Sequence, residues 1–314
     1  MNATAEPQSG RLPHLGVLRF TGPDSLSFLQ GQVSNDTRRL AQGQPLFAAY
    51  SSSQGRVLAL LHLLPHSSGI VAILPRELVL PTLEALRRFV LRAKVTMEDA
   101  GELLCVSGHH DAHRLRSANL AIPQSSNDYL EQEGVGIAAA SQDSSRYWVI
   151  GAAETLAERG LLGDGPQAEQ IEHDWRLADI RAGLPQIYLT TRETFVAQML
   201  NLDLLDGISF SKGCYTGQEI IARTQHLGRV KRRLFRLQLP NGAWSIGQTV
   251  RLTDGRTGRL TELARSGGGF EALAVLNVEA STAGDGGPSP SQDRESATNA
   301  AVAATQLPLP YALS

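Results

Sequence analysis

The stretch KGCYTGQE, residues 212–219, packs a base, a thiol, a phenol, two glycines and a carboxylate into eight positions, directly ahead of the helix-forming run IIARTQ. Thr216 and Glu219 stand three apart before the apolar pair Ile220 and Ile221. That is the spacing of a capping box, in which hydroxyl and carboxylate each satisfy a free backbone N–H. The pattern predicts a helix from Gly217 to near Gly228. Cys214 then precedes the helix start, where the dipole's positive end and the nearby Lys212 favour a thiolate. Gly213 and Gly217 admit tight backbone geometry or the close approach of a ligand. Two readings fit this spacing: an open reactive thiol, or a small cysteine packed at a helix start with a solvated lysine beside it. Glu219 is likewise either a cap or a ligand contact, and Tyr215 either a hydrophobic staple or part of a site. His226, the one local base, lies more than two helical turns from Cys214 and does not reach it, which argues against a cysteine-nucleophile enzyme.

Upstream of this stretch, residues 167–185, QAEQIEHDWRLADIRAGLP, read as a helix. Ile171, Trp175, Leu177, Ala178 and Ile180 share a broad apolar face, and Gly183 with Pro185 stops it. Trp175 on this pattern is a core residue. Earlier still, LGVLRFTG reads as a strand, and PDSLSFLQGQ as a short helix capped by Asp24. LFAAYSSSQGRVLALLHLL reads as a hairpin turning at Gly55, with one histidine inside its second apolar run. GIVAIL is another buried strand. Leu78, Leu83, Leu86, Phe89 and Val90 predict an amphipathic helix, and ELLCVSG and RYWVIGA two more strands. Downstream, RLFRLQL, QTVRLTDGRTGRLTEL with its Asp-Gly turn, and EALAVLNV predict a small all-β unit. The small, polar composition of residues 280–304 predicts a mobile loop, and order signals return at LPLPYALS.

The bulk numbers bound the function. A length of 314 residues suggests two or three domains, and a net charge of −2 means that any nucleic-acid surface must be a local patch. Such a patch exists in sequence: Arg223, Arg229, Lys231, Arg232, Arg233 and Arg236 fall close together. It reads either as an anion-binding surface or as charged strand edges that discourage unwanted pairing. The longest apolar run is about eight residues, too short for a bilayer helix, and the amino end lacks a secretory pattern, so the expected location is the cytoplasm with no membrane partner. Two cysteines, Cys105 and Cys214, are too few to hold an iron–sulfur cluster by thiolates alone or to form a zinc finger, and no metal site is expected.

GISFSKGCYTGQEIIAR closely resembles the signature of YgfZ-type folate-binding proteins, which are related to the T protein (aminomethyltransferase) of the glycine cleavage system. FLQGQVSND, ADIRAGLPQI, FVAQMLNLDLLDGISF and LPLPYALS extend the resemblance over most of the chain. It implies an α+β fold: a three-domain clover-leaf around a central folate channel, with a C-terminal β-barrel domain. The folate-binding domain would comprise 11–50 and 156–228, the middle domain 51–155 and the barrel 229–314. The resemblance further implies tetrahydrofolate as cofactor, iron–sulfur proteins or their assembly machinery as partners, and transfer RNA as a further partner. It makes Lys212 and Cys214 the functional pair, completed by Tyr215, Gly217, Gln218 and Glu219. Trp175 falls on a folate-contacting tryptophan and Leu15 on a second contact position. Asp179, Arg181, Glu193 and Arg223 are available for the ligand's polar groups, with Arg223 expected at the cofactor. One departure from T proteins is decisive for chemistry. Where they carry an acidic pair, this chain has Ala59 and Leu60, neither of which can act as acid or base. The expectation is a folate-binding accessory protein of iron–sulfur enzymes with a reactive Cys214. A folate-dependent aminomethyl or methyl transferase and a transfer-RNA modification factor are the alternatives.

Overall fold

A computed structural model describes residues 9–140, 145–163, 167–227, 230–279 and 301–313. The strands in chain order are β1 (Gly10–Arg11), β2 (Leu15–Thr21), β3 (Leu46–Ser51), β4 (Val57–His66), β5 (Gly69–Pro75), β6 (Thr96–Asp99), β7 (Cys105–His109), β8 (Tyr129–Gln132), β9 (Val135–Ala139), β10 (Tyr147–Gly151), β11 (Arg232–Leu239), β12 (Thr249–Arg251), β13 (Thr257–Ser266), β14 (Gly269–Asn277) and β15 (Thr305–Leu307). They make three five-stranded sheets, ordered β3-β4-β5-β2-β6, β1-β7-β10-β9-β8 and β12-β13-β14-β11-β15. The apolar runs of β4 and β5 are buried almost throughout, because both faces of the first sheet are covered.

The helices are α1 (Ser25–Gln30), α2 (Arg38–Ala41), α3 (Val79–Arg87), α4 (His113–Ser117), α5 (Ala153–Glu158), α6 (Ala168–Ala182) and α7 (Gln218–Leu227). Helix α6 ties the three sheets together. Ile171 and Trp175 enter the core of the second sheet, while Ile180 enters that of the first. On its other side Arg176 bonds Glu262 of β13 at 2.5 Å, and Arg181 bonds Glu271 of β14 at 2.8 Å. Gly183, left-handed at φ 67, ends the helix where its sequence placed the stop. Trp175 packs against β7 because Gly108 leaves room: a Cβ there would sit 2.4 Å from the indole.

Several expectations meet their elements directly: β2, the β3–β4 hairpin with Gly55 at φ 70, β5, β10, α6, α7 and the β11–β14 run. Others change. Asp24 precedes α1 but makes no cap bond; its carboxylate accepts from the Lys94 N–H at 2.6 Å instead. Phe89 falls beyond the end of α3 and is 44% exposed. Strands β8 and β9 arise where no strand was expected. The expected division at 50/51 falls inside β3, whose partner β4 lies beyond it, so the first sheet takes strands from both sides of that boundary. Among the described residues the C-terminal sheet is open rather than a closed barrel. Among the described residues its edge segments are joined by the bridge Leu252–Val302 and by Arg256 donating to the Gln306 side chain at 3.0 Å. Most of the loop expected at 280–304 lies outside the described residues; at its end, Val302 is strapped by backbone bonds to Arg251 and Thr253. No helix among the described residues is long and apolar enough to cross a membrane.

Candidate functional site: a presented thiol and an aromatic cleft

Residues 212–215 form a short loop anchored at both ends. Lys212 is 5% exposed and Tyr215 is 9% exposed, while Gly213 and Cys214 between them are exposed. The Lys212 ammonium donates to three backbone carbonyls, those of Gln30 (2.8 Å), Val33 (2.7 Å) and Asn35 (2.7 Å), and lies 4.9 Å from the centre of the Tyr215 ring. Its three N–H bonds are therefore all used, and burial lowers its pKa to about 8. Burial also raises the Tyr215 phenol to about 12, so Tyr215 is neutral and apolar in function. The Cys214 thiol is free and open to solvent; Cys105 is free and buried in the second sheet.

The segment clamped by Lys212 is FLQGQVSND, and its polar residues are buried for a reason. Ser34 donates to the Gly207 carbonyl (2.6 Å) and accepts from the Ala49 N–H (2.8 Å). Asn35 donates to the carbonyls of Phe47 (2.8 Å) and Asp206 (2.6 Å). One buried polar hub thus joins the thiol loop, strand β3 and residues 206–207.

Helix α7 begins at Gln218, one residue later than the capping box requires. The backbone at Gly217 is left-handed at φ 83, and a Cβ there would meet the Ser52 carbonyl at 2.6 Å. This close approach seats the helix start on the β3–β4 turn, where a Cβ at Gly55 would in turn meet Ile220 at 2.8 Å. With Gly217 held so, the expected partners exchange. Gln218, not Glu219, reaches back to the Tyr215 N–H (3.2 Å), and the Thr216 hydroxyl turns to Gly31 and Gln32. Glu219 and Arg223 are exposed on the helix.

A cleft opens beside the hub between the first and second sheets, enclosing about 640 Å³ with its open mouth. The register that pairs Phe47 with His62 stacks their rings at 4.4 Å, and Trp148 of β10 tilts onto His62 at 4.3 Å. Burial, with Arg146 nearby, holds the His62 pKa down to about 3, so the ring is neutral at physiological pH. The Trp148 Nε1 is buried in the cleft wall without a partner. Arg39 lines the cleft, bonded to Asp206 (2.6 Å) and Asn127 (3.0 Å).

Trp175 and Leu15 are not at this cleft. Trp175 is 1% exposed, 6.3 Å from Trp148, with the Arg146 guanidinium 4.8 Å from its ring centre. Arg146 is itself paired with Asp179 at 2.8 Å. Leu15 packs on the core that contains Trp175. The sequence-derived set thus falls in two places: Lys212, Cys214, Tyr215, Gly217 and Gln218 together at the loop, Trp175 and Leu15 in the second core. Phe47, His62 and Trp148 were missed. One signal could have found them: a lone histidine in VLALLHLL shares its strand face with Leu60 and Leu64, and on a buried face a histidine needs a reason. Ala59 and Leu60 are both wholly buried.

Two residues of the basic tract are consumed in internal ion pairs, and a third, exposed, bonds a neighbouring amide. Arg233 is buried and grips Asp203 with two bonds (2.6 and 2.9 Å), Arg236 grips Glu271 (2.6 Å), and Arg232 bonds Asn277 (3.0 Å). Arg223 and Lys231 are exposed; Arg229 lies outside the described residues.

No family model matches the chain. Its sequence is 31% identical over 227 residues to the tRNA-modifying protein YgfZ of Colwellia psychrerythraea, covering 71% of this chain and 69% of that one. It is 31% identical over 237 residues to the protein of that name from Pectobacterium carotovorum (74% and 71%), and 30% identical over 309 residues to that from Yersinia enterocolitica (95% and 90%). The fold is similar to the crystal structure of the glycine cleavage system aminomethyltransferase T from Bartonella henselae, with a TM-score of 0.64 and 16% identity, over 86% of this chain and 78% of that one.

Proposed function

Because the chain belongs to the YgfZ family, we propose that it binds tetrahydrofolate in the cleft floored by Phe47, His62 and Trp148, and works through the Cys214 thiol in support of iron–sulfur enzymes and, through them, of transfer-RNA modification. The observation that carries this reading is the exposed pair Gly213–Cys214 held out between the buried anchors Lys212 and Tyr215. A thiol kept for packing would be buried with its neighbours; this one is presented on a rigid mount.

The cleft suits the ligand class. A flat pterin or aminobenzoyl ring stacks on an aromatic floor, a pterin carbonyl can accept from the unpartnered Trp148 N–H, and Arg39 can meet an anionic glutamyl tail at the rim. Bound tetrahydrofolate supplies a carrier for one-carbon units. Lys212 acts by position: with its three donors committed to carbonyls, it fixes the loop from which Cys214 projects and, through Asn35, couples that loop to the cleft wall. Tyr215, Gly217 and Gln218 serve the same mount, while Glu219 and Arg223 offer exposed polar contacts on α7. Trp175 and Leu15 support the cleft from the second core.

A one-carbon transferase reading finds no carboxylate at Ala59 or Leu60. A direct grip on transfer RNA by the basic tract loses Arg233 and Arg236 to internal ion pairs.

The test has two arms. Tetrahydrofolate titration followed by tryptophan fluorescence should show saturable binding that Trp148→Phe weakens more than Trp175→Phe. Cys214→Ser should abolish support of iron–sulfur enzyme activity in cells while leaving folate binding intact. Absence of binding would remove the folate reading, and unchanged enzyme support in Cys214→Ser would remove the thiol's role.

A further inference from the structure

A second cleft opens on the other side of the helix α7 start. It encloses about 980 Å³ with its mouth, between the β3–β4 turn, helix α3 and residues 192–193, and Thr216 lies on its wall. Three of its buried polar atoms lack partners. Ser51 is 1% exposed and its Oγ has no hydrogen bond; Ser52 Oγ and Arg192 Nε are also buried and unpaired. Arg88 and Arg192 enter no ion pair among the described residues, although Glu84 and Glu193 line the same cleft. Arg88, Arg192 and Tyr50 line the same cleft. Tyr50, Leu58, Pro81 and Phe89 form the apolar wall.

Buried hydroxyls and a guanidinium nitrogen without partners are costly in an isolated chain. An oxyanion relieves that cost: guanidinium forks match carboxylate and phosphate geometry, and hydroxyl donors fill the remaining acceptor positions. Exposed Glu84 and Glu193 cancel the formal charge of the two arginines, which disfavours a polyanionic nucleic-acid backbone and leaves room for one small anionic head. The wall, with Phe89 44% exposed, suits an apolar body behind that head.

We propose that this cleft binds a small molecule bearing one oxyanion, a phosphate monoester or a carboxylate, on an apolar body, with Arg88 and Arg192 on the anion and Ser51 and Ser52 as hydroxyl donors. The site is separate from the aromatic cleft, and it adjoins the mount of Cys214 through Thr216.

The experiment is calorimetric titration of the full chain with phenyl phosphate and, separately, with benzoate at low ionic strength. Saturable one-to-one binding is expected for at least one probe, and the preferred probe assigns the head group as phosphate or carboxylate. Arg88→Gln and Arg192→Gln should each weaken it about tenfold, the loss of a charge-assisted hydrogen bond. Arg87→Gln, the last residue of α3 and adjacent to Arg88 but outside the cleft, should leave it unchanged. If Arg192→Gln does not fold, the exposed Arg88→Gln decides alone. Tetrahydrofolate binding should be the same in both cleft variants, so the two sites succeed or fail separately. No saturable binding of either probe, or binding indifferent to Arg88→Gln, overturns the proposal.

Discussion

Lys212 is a lysine spent on backbone. A buried ammonium that serves three carbonyls cannot be removed cheaply, because each acceptor is left without a donor in a dry site. Lys212→Met is expected to lower stability by about 2–3 kcal/mol, read by urea denaturation, with m unchanged. Cys214→Ser, at an exposed position, should stay within about 0.5 kcal/mol of the parent. A Lys212→Met cost below that same margin would mean the clamp is dispensable. Lys212 also sets a pH dependence. Its folded pKa is lowered to about 8 from 10.5, so across that window the unfolded chain holds a proton that the folded chain has released. Stability should therefore rise with pH from about 8 to 10.5 relative to Lys212→Met, and a flat difference would contradict the burial of the ammonium. None of this was legible in KGCYTGQE, since a lysine before a helix is usually solvated.

At the scale of elements, the α7 start and the β3–β4 turn are shaped to each other by two glycines. Gly217→Ala must place a Cβ against the Ser52 carbonyl from a left-handed backbone, so a loss of about 2–3 kcal/mol is expected. Gly213→Ala, with no heavy atom within 4 Å of an added Cβ, is its control and should be close to neutral. Equal losses in the two variants, measured by thermal or urea denaturation, would show that the interlock is not the cause. The helix itself was readable from Ile220 and Ile221 onward. Its cap was not: the spacing of Thr216 and Glu219 satisfies a capping box, but contact with Ser52 fixes Gly217 first and hands the reach-back bond to Gln218.

Across the whole molecule, α6 distributes its buried side chains between two cores and its arginines to a third sheet, so the chain's acidic partners lie far away in sequence. Glu271, 4% exposed, is held by Arg181 and Arg236, which keep its carboxyl below the usual range even against burial. Glu271→Ala would leave two guanidinium groups facing each other, and a loss of about 3–5 kcal/mol is expected, with a loss under about 1 kcal/mol counting against the clamp. Acid should act on the molecule through its buried histidines. Burial holds His14 and His62 at about 3, and His109 and His110 at about 4, against an ordinary 6.5. Below pH 6.5 the unfolded chain takes up protons that the folded chain refuses, so stability should already fall between pH 6.5 and 5, before carboxylates titrate. His62→Gln should flatten part of that fall; an unchanged slope would argue that His62 is not buried as described.

By itself the sequence determined the parts set by local rules and near neighbours. These are the strand runs, the Gly55 and Asp-Gly turns, α6 with its Gly183 stop, and α7. It also carried the motif that identifies the family. Tertiary structure alone decided what those parts touch. It buried Trp175 where a ligand wall was expected, and built the cleft floor from Phe47, His62 and Trp148. It spent Arg233 and Arg236 on Asp203 and Glu271, and among the described residues it joined the edges of the C-terminal sheet by the bridge Leu252–Val302. The reason is physical: periodicity records which face of an element is apolar, whereas a partner thirty or more residues away is chosen by packing and by the pairing of buried charges, which no local pattern encodes.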